Sequence, residues 1–310
     1  MKILNKTAQM IEKALNKRLL GAEKAIGKKY AVMLNEIRQQ LASIYERFEV
    51  GGQLTYAEMA KYSRLQSFYK WIDTLLGTHY KSLTDVIYDV LGESYLYGYY
   101  MTAWAVEVET LSRLAYSTVA APVIKAMIEN PIAGLTLPSR LAKQRSAVVW
   151  SIQQEITQGL VEGETYSTMA KRVKKSLEID AAKSMRIVRT EAHRASETGK
   201  HNSAEHANKN GVIMVKEWNS SQDERVRTSN KSKKAKADHQ KLDGHKVSMD
   251  GVFDDGLSKG SAPGALPAAG SSVNCRCFLT YSVEHIEKVD AKELEGMAFD
   301  TWKEQRLKKA

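Results

Sequence analysis

A chain of 310 residues with 43% hydrophobic side chains is long enough for two domains with real cores, which sets aside wholesale disorder. No apolar run approaches the roughly 18 residues of a membrane span, and Met1–Lys6 does not open a signal peptide. A soluble protein made in the cytosol, without membrane contact, is expected. The net charge of +10 favours a polyanionic partner. Beyond residue 137 there are 30 basic against 23 acidic side chains; before it there are 16 against 13.

The first element is a long amphipathic helix over residues 8–48, or two helices broken near Gly27. Ile11, Leu15, Leu19, Ala22, Ala25 and Ile26 recur there at steps of three and four among Lys and Glu. Gly51 and Gly52 close it. A second helix runs from Tyr56 to about Leu76, with Thr55 as N-cap and Glu58 completing a capping box. A third spans Ser82–Leu111 and concentrates Tyr88, Tyr95, Tyr97, Tyr99, Tyr100 and Trp104. Such a cluster can stack on bases, but tyrosine also covers apolar area while keeping a polar tip wet. Packing in a core or against another protein is expected.

A shorter helix, Ala115–Glu129, precedes Asn130–Pro138, whose two prolines and glycine mark a boundary. Beyond it come a helix to about Gln158, a basic helix opened by Glu164, and a helix over residues 180–209 closed by Asn210 and Gly211. The chemistry then changes. Val212–Trp218 and Cys277–Val283 read as strands able to pair. Between them, residues 219–274 form a long irregular stretch of the kind usually kept for function. Residues 284–310 return to a charged helix. The fold class is mainly α with a small α+β C-terminal module, divided as a helical domain 1–137, a domain 138–284 and a helical tail 285–310.

Both cysteines of the chain, Cys275 and Cys277, stand in the tetrapeptide Asn274–Cys277 behind a glycine-rich run. Two cysteines make no disulfide framework, and a bond between these two would close a small strained ring. Reduced thiols leave metal ligation or plain structural use. Zinc could take Cys275 and Cys277, then His239 or His245, then Asp223, Asp243 or water; no other cofactor is indicated. His239, beside Asp238, has the surroundings of a general base or of a structural hydrogen-bonding residue, and the second is preferred. Arg225, Arg227, Lys231, Lys233, Lys234, Lys236, Lys241 and Lys246 form a basic run suited to phosphate contacts or to a solvated loop. Arg186, Arg189, Glu191, His193 and Arg194 have the spacing of a solvated or interface face.

Together these residues resemble the phage head morphogenesis family, the phage Mu protein F-like minor head proteins, over residues 138–284. The resemblance rests on Gln158–Gly163 and the Met-Ala helix after it, on Arg189 and Glu191, on Trp218, and on Asp223, Arg225 and Arg227. It closes with His239, with Leu242, Asp243 and Gly244, with Val252 and Phe253, and with Asn274, Cys275, Arg276 and Cys277. It implies a non-enzymatic minor head (capsid) protein of a tailed phage, associated with the portal. Its implied roles are head morphogenesis and the retention or delivery of packaged DNA. The implied partners are the portal protein, capsid or scaffold proteins, and double-stranded DNA bound without sequence preference. The implied location is the virion, at the head interior or portal vertex, after assembly in the host cytoplasm. The helical half before residue 138 carries no family motif.

Two departures stand out. Where some family members carry a second cysteine pair ahead of Leu-Asp-Gly, this chain has Arg225–Asn230. Asn230–Asp238 reads as a basic insertion, and its Lys231, Lys233, Lys234 and Lys236 are expected to contact DNA. Two other function classes, an enzyme and a DNA-binding regulator, compete with this reading. An ADP-ribosyltransferase needs an arginine, a Ser-Thr-Ser and a Glu-x-Glu in that order, whereas Glu107-Val-Glu109 precedes the Ser-Thr pairs at 117–118 and 167–168. A metal nuclease would use His239, His245 and nearby aspartates. A sequence-specific DNA-binding regulator would rest on the basic helix after Gly163.

Overall fold

The structure, a computed structural model, describes residues 2–131, 134–229, 237–287 and 291–307. Helix α1 (Lys2–Phe48) runs unbroken through Gly27. One helical glycine costs only about 1 kcal/mol, and the buried stripe of Ala22, Ile26, Tyr30, Met33 and Ile37 carries past it. Thr55 caps α2 (Tyr56–Ala60) by accepting from the Glu58 amide at 3.3 Å. Left-handed Tyr62 and Ser63 then turn the chain into α3 (Arg64–Thr110), which fuses the second and third expected helices. Helix α4 (Ala121–Glu129) starts later than expected, and α5 (Leu137–Val161) opens with Pro138 in its first turn, where the missing amide costs nothing. Helix α6 (Tyr166–Lys209) joins the two remaining helical segments, because Met169, Val173, Leu177, Ser184 and Val188 keep one buried face throughout.

Strand β1 (Val212–Asn219) is the centre of a three-stranded antiparallel sheet. Its partners are β2 (Lys246–Ser248) and, after a two-residue ribbon of β3 (Phe253–Asp254) and β4 (Lys259–Gly260) and the single turn α7 (Ala269–Ser272), β5 (Phe278–Ile286). The two strands expected from the sequence do pair. Their register breaks once, between Ile213 and Met214. The tail carries a short helix, α8 (Phe299–Arg306), rather than a continuous one.

Packing gathers the chain into two compact units, each drawing on both sides of the Asn130–Pro138 boundary. One comprises residues 1–20, 89–136 and 188–310; the other comprises 21–88 and 137–187. The core of the first holds Leu4, Tyr100, Val106, Leu114 and Tyr116 together with Trp218, Leu242, Phe253, Leu279 and Trp302. Tyr95 is buried at 1% exposure and the Trp104 indole donates to the Met297 carbonyl at 2.7 Å, so the aromatic segment of α3 is packing material. The second unit buries a polar network. Asp180 accepts from Tyr30 at 2.7 Å, from Tyr80, and from Gln144 at 2.9 Å, and Gln144 also donates to Ser184 at 2.8 Å. Among the described residues no helix is long and apolar enough to cross a membrane.

Candidate functional site

The family motifs converge in the first unit, around the loop that leaves β1. The Trp218 amide donates to the His245 carbonyl at 3.0 Å and its carbonyl accepts from the Gly244 amide at 2.8 Å, so the turn at 242–245 is clipped to the strand. Each residue of Leu-Asp-Gly has a separate task there. Leu242 is buried, Asp243 takes the Ser220 amide and the Gln222 side chain at 2.7 Å each, and Gly244 sits at φ +77, where an L side chain is strained. Upstream, the Arg227 carbonyl accepts the amides of His239 and Gln240 at 3.0 and 3.1 Å, while its guanidinium donates to the Val273 carbonyl. Asp238 closes the loop by accepting from the Ser229 amide and hydroxyl.

These clips deliver His239 to the thiols. His239 is 1% exposed, its Nδ1 lies 3.5 Å from Sγ of both Cys275 and Cys277, and its Nε2 lies 3.2 Å from Asp255 Oδ2. The Trp218 ring packs edge-on against the imidazole, 5.1 Å between centroids. The three donor atoms lie within 4.8 Å of one another, and a carboxylate on the far imidazole nitrogen is the arrangement that orients a metal-ligating histidine. A closed structural zinc uses four ligands, and three are grouped here. The sequence alternatives for the rest are not part of this group. His245 is exposed, Asp243 is committed to Ser220 and Gln222, and Asp223 is paired with Arg276. The two thiols share a hydrogen bond. The bond from Cys277 pulls Cys275 well below the usual thiol range and pushes Cys277 above it, with burial raising both.

Flanking residues fix the tetrapeptide. Asn274 takes a left-handed φ of 56, which asparagine tolerates better than most residues, and its amide donates to Thr190 Oγ1 at 3.1 Å. Arg276 grips Asp223 through two nitrogens, and that guanidinium holds the Asp223 carboxyl down at about 2.

One reading from the sequence is corrected. Of the solvated or interface face expected on α6, the solvated alternative does not hold for Glu191, His193 and Arg194, which are buried, whereas Arg186 and Arg189 are exposed. Arg194 pairs with Glu191 at 2.8 Å. His193, Glu197 and Lys200 point the other way, onto the start of β5. His193 Nε2 bonds the Cys277 carbonyl at 2.7 Å, Glu197 accepts the Leu279 amide at 2.9 Å, and Lys200 donates to the Leu279 carbonyl at 3.3 Å. Lys200 also pairs with Glu197 and, at 3.5 Å, with Glu12. Burial alone would lower His193, but Cys275 and Glu197 outweigh it and raise it to about 9. Their i, i+4, i+7 spacing was the available signal, though it looks the same on a wet face.

Of the basic run, Arg225 and Lys241 are exposed and Lys246 pairs with Glu217 at 3.4 Å. Lys231, Lys233, Lys234 and Lys236 lie outside the described residues. The carboxylates of Glu107-Val-Glu109 bind backbone and side-chain groups of the first unit. Glu107 is fully buried, taking the Leu114 amide, the Trp302 indole and Arg306, and Glu109 takes the amides of Ile3 and Leu4. Two further Glu-x-Glu pairs do follow a Ser-Thr pair. Glu162 and Glu164 are both bound by Arg172, and Glu293 is bound by Arg113.

The loop that carries His239 and Leu242–Gly244 thus meets the tetrapeptide Asn274–Cys277 in the first unit. The family model described as phage Mu protein F like protein matches residues 150–280. The minor head protein GP7 of Bacillus phage SPP1 is 35% identical over 275 residues, spanning 88% of this chain and 86% of GP7. The chain therefore belongs to the phage Mu protein F-like family and has the role of a virion minor head protein. A second relative, the NAD(+)–arginine ADP-ribosyltransferase EFV of Enterococcus faecalis strain V583, is 26% identical over 286 residues; these span 89% of this chain but 57% of EFV. No solved structure matches the chain.

Proposed function

We propose that this minor head protein works at the portal vertex, assisting head morphogenesis and then retaining or delivering the packaged double-stranded DNA. The portal protein and capsid or scaffold proteins are its partners. The observation that carries this reading is the extent of the likeness to a minor head protein: it runs through nearly the whole of both chains, not only the motif-bearing segment. The net charge of +10 supports a DNA role, since non-specific binding to a duplex is dominated by phosphate contacts. Quantitative mass spectrometry of purified particles tests it. A few copies per portal ring are expected; absence from mature heads and procapsids alike overturns the reading. DNA contact by the basic insertion is tested separately: replacing Lys231, Lys233, Lys234 and Lys236 by Gln should flatten the salt dependence of DNA binding.

The likeness to EFV favours a second reading, NAD-dependent modification of arginine. Against it stands the structural use of Glu107, Glu109, Glu162, Glu164 and Glu293. Incubation with labelled NAD and an arginine-rich acceptor should give no transfer of label; transfer would make this the leading activity.

A further inference from the structure

The half of the chain without family motifs carries a one-sided charge pattern on α1. Lys6, Lys13, Lys17, Lys24 and Lys28 are separated by 7, 4, 7 and 4 residues and are all exposed. At 3.6 residues per turn these steps return to one line, so the five lysines fall within an arc of about 60°. Between Lys6 and Lys28 the other residue in that arc is exposed Met10, and the first carboxylate on the same line of α1 is Glu46, five turns beyond Lys28. The helix's own early carboxylates point elsewhere, Glu12 to buried Lys200. Ordinary solvated helix faces mix signs at i, i+4, as Lys174 with Glu178 and Lys209 with Glu205 do here. None of the five lysines makes an ion pair or hydrogen bond among the described residues.

We infer that this lysine line on α1 is a docking surface for the phosphate backbone of double-stranded DNA. Charge complementarity selects the occupant: a duplex offers one negative charge per about 1.7 Å of its axis, so a straight row of flexible ammonium groups meets phosphates without sequence or register. A lipid surface fits worse. An interfacial helix must present a free apolar face, and the apolar face of α1 is spent, with Ile11, Leu15 and Ile26 buried at 1, 3 and 0% exposure. The inference rests on the DNA-handling reading above and assigns it a surface distinct from the insertion at 230–238.

The test uses the full chain and a fluorescent duplex of arbitrary sequence, with affinity followed by anisotropy across a salt series. Changing all five lysines to Gln should weaken binding about tenfold or more at physiological salt and flatten the log–log salt slope by about 4. Changing them to Arg should preserve both. Circular dichroism should show α1 intact, since the positions are exposed. If the wild-type chain binds the duplex and the five-Gln variant binds it with the same slope, this surface is wrong while the DNA reading stands. If the wild-type chain does not bind the duplex, the DNA reading itself fails and takes this inference with it. Phosphatidylserine vesicles competing better than duplex at equal charge would overturn the choice of occupant.

Discussion

Asp223 and Arg276 are 53 positions apart, yet their two-nitrogen grip ties the loop after β1 to the cysteine tetrapeptide. Folding lowers the Asp223 carboxyl to about 2 from an unfolded value near 3.8, chiefly through Arg276. A depressed acid contributes stability that is complete above its unfolded pKa and disappears as pH falls through the folded one. The urea midpoint of the wild type should therefore fall from pH 4.5 toward about 2 more steeply than that of Asp223→Asn. Identical slopes would mean the pair adds nothing to the loop. The thiols invite a second measurement. His239, Cys275 and Cys277 are already gathered, so added zinc should raise the melting temperature of the wild type, because a ligand held only by the native state stabilises it. A Cys275→Ser, Cys277→Ser double variant should show no rise. An unchanged wild-type melting temperature would leave the cysteines as buried packing and hydrogen-bonding groups.

Among the elements, α3 and α6 of the first unit approach each other closely, and glycines make it possible. A methyl group on Gly199 would fall inside contact distance of the Tyr95 carbonyl oxygen, and one on Gly98 would lie 2.6 Å from the Ser196 carbonyl oxygen. Helix propensity alone says that Gly→Ala gains about 1 kcal/mol. Backbone-on-backbone overlap costs about 1–3 kcal/mol or more, so the packing term decides the sign. Gly199→Ala should lower stability by about 2 kcal/mol, whereas Gly21→Ala on α1, with open space around it, should raise it by about 0.5–1 kcal/mol. Urea denaturation of the two variants reads both. These glycines also show why sequence found the helices but not their lengths. Gly27 and Gly77 look like breaks, yet Ile26 and Tyr30, or Leu76 and Tyr80, are buried on either side and keep the helix going. Periodicity found β1 and β5 because Val212, Met214 and Trp218 alternate inward with Lys216. It could not find Asp255 or Glu197, whose roles depend on which distant backbone group each one meets.

At the scale of the molecule, the motifs occupy a short span while the core that holds them does not. The hydrophobic core around Trp218, Leu242, Cys275 and Cys277 includes Leu4, Tyr100, Val106, Leu114 and Tyr116, all from before residue 138. Burying side chains of that size is worth about 1.5–3 kcal/mol each, so these five together contribute on the order of 10 kcal/mol. That is comparable to the whole stability of a typical domain, about 5–15 kcal/mol. The C-terminal anchor has the same dependence, since the Trp302 indole and Arg306 both bond Glu107. A fragment of residues 138–284, cut where composition shifts, should thus show no cooperative thermal transition and a solvent-exposed Trp218 in its fluorescence. Co-expression with residues 1–137 should restore a cooperative melt, because that segment returns Tyr100, Leu114 and Tyr116 to the core. A sharp transition in the isolated fragment would mean that the sheet and its loop hold themselves together, and that the N-terminal helices are a separate docking element.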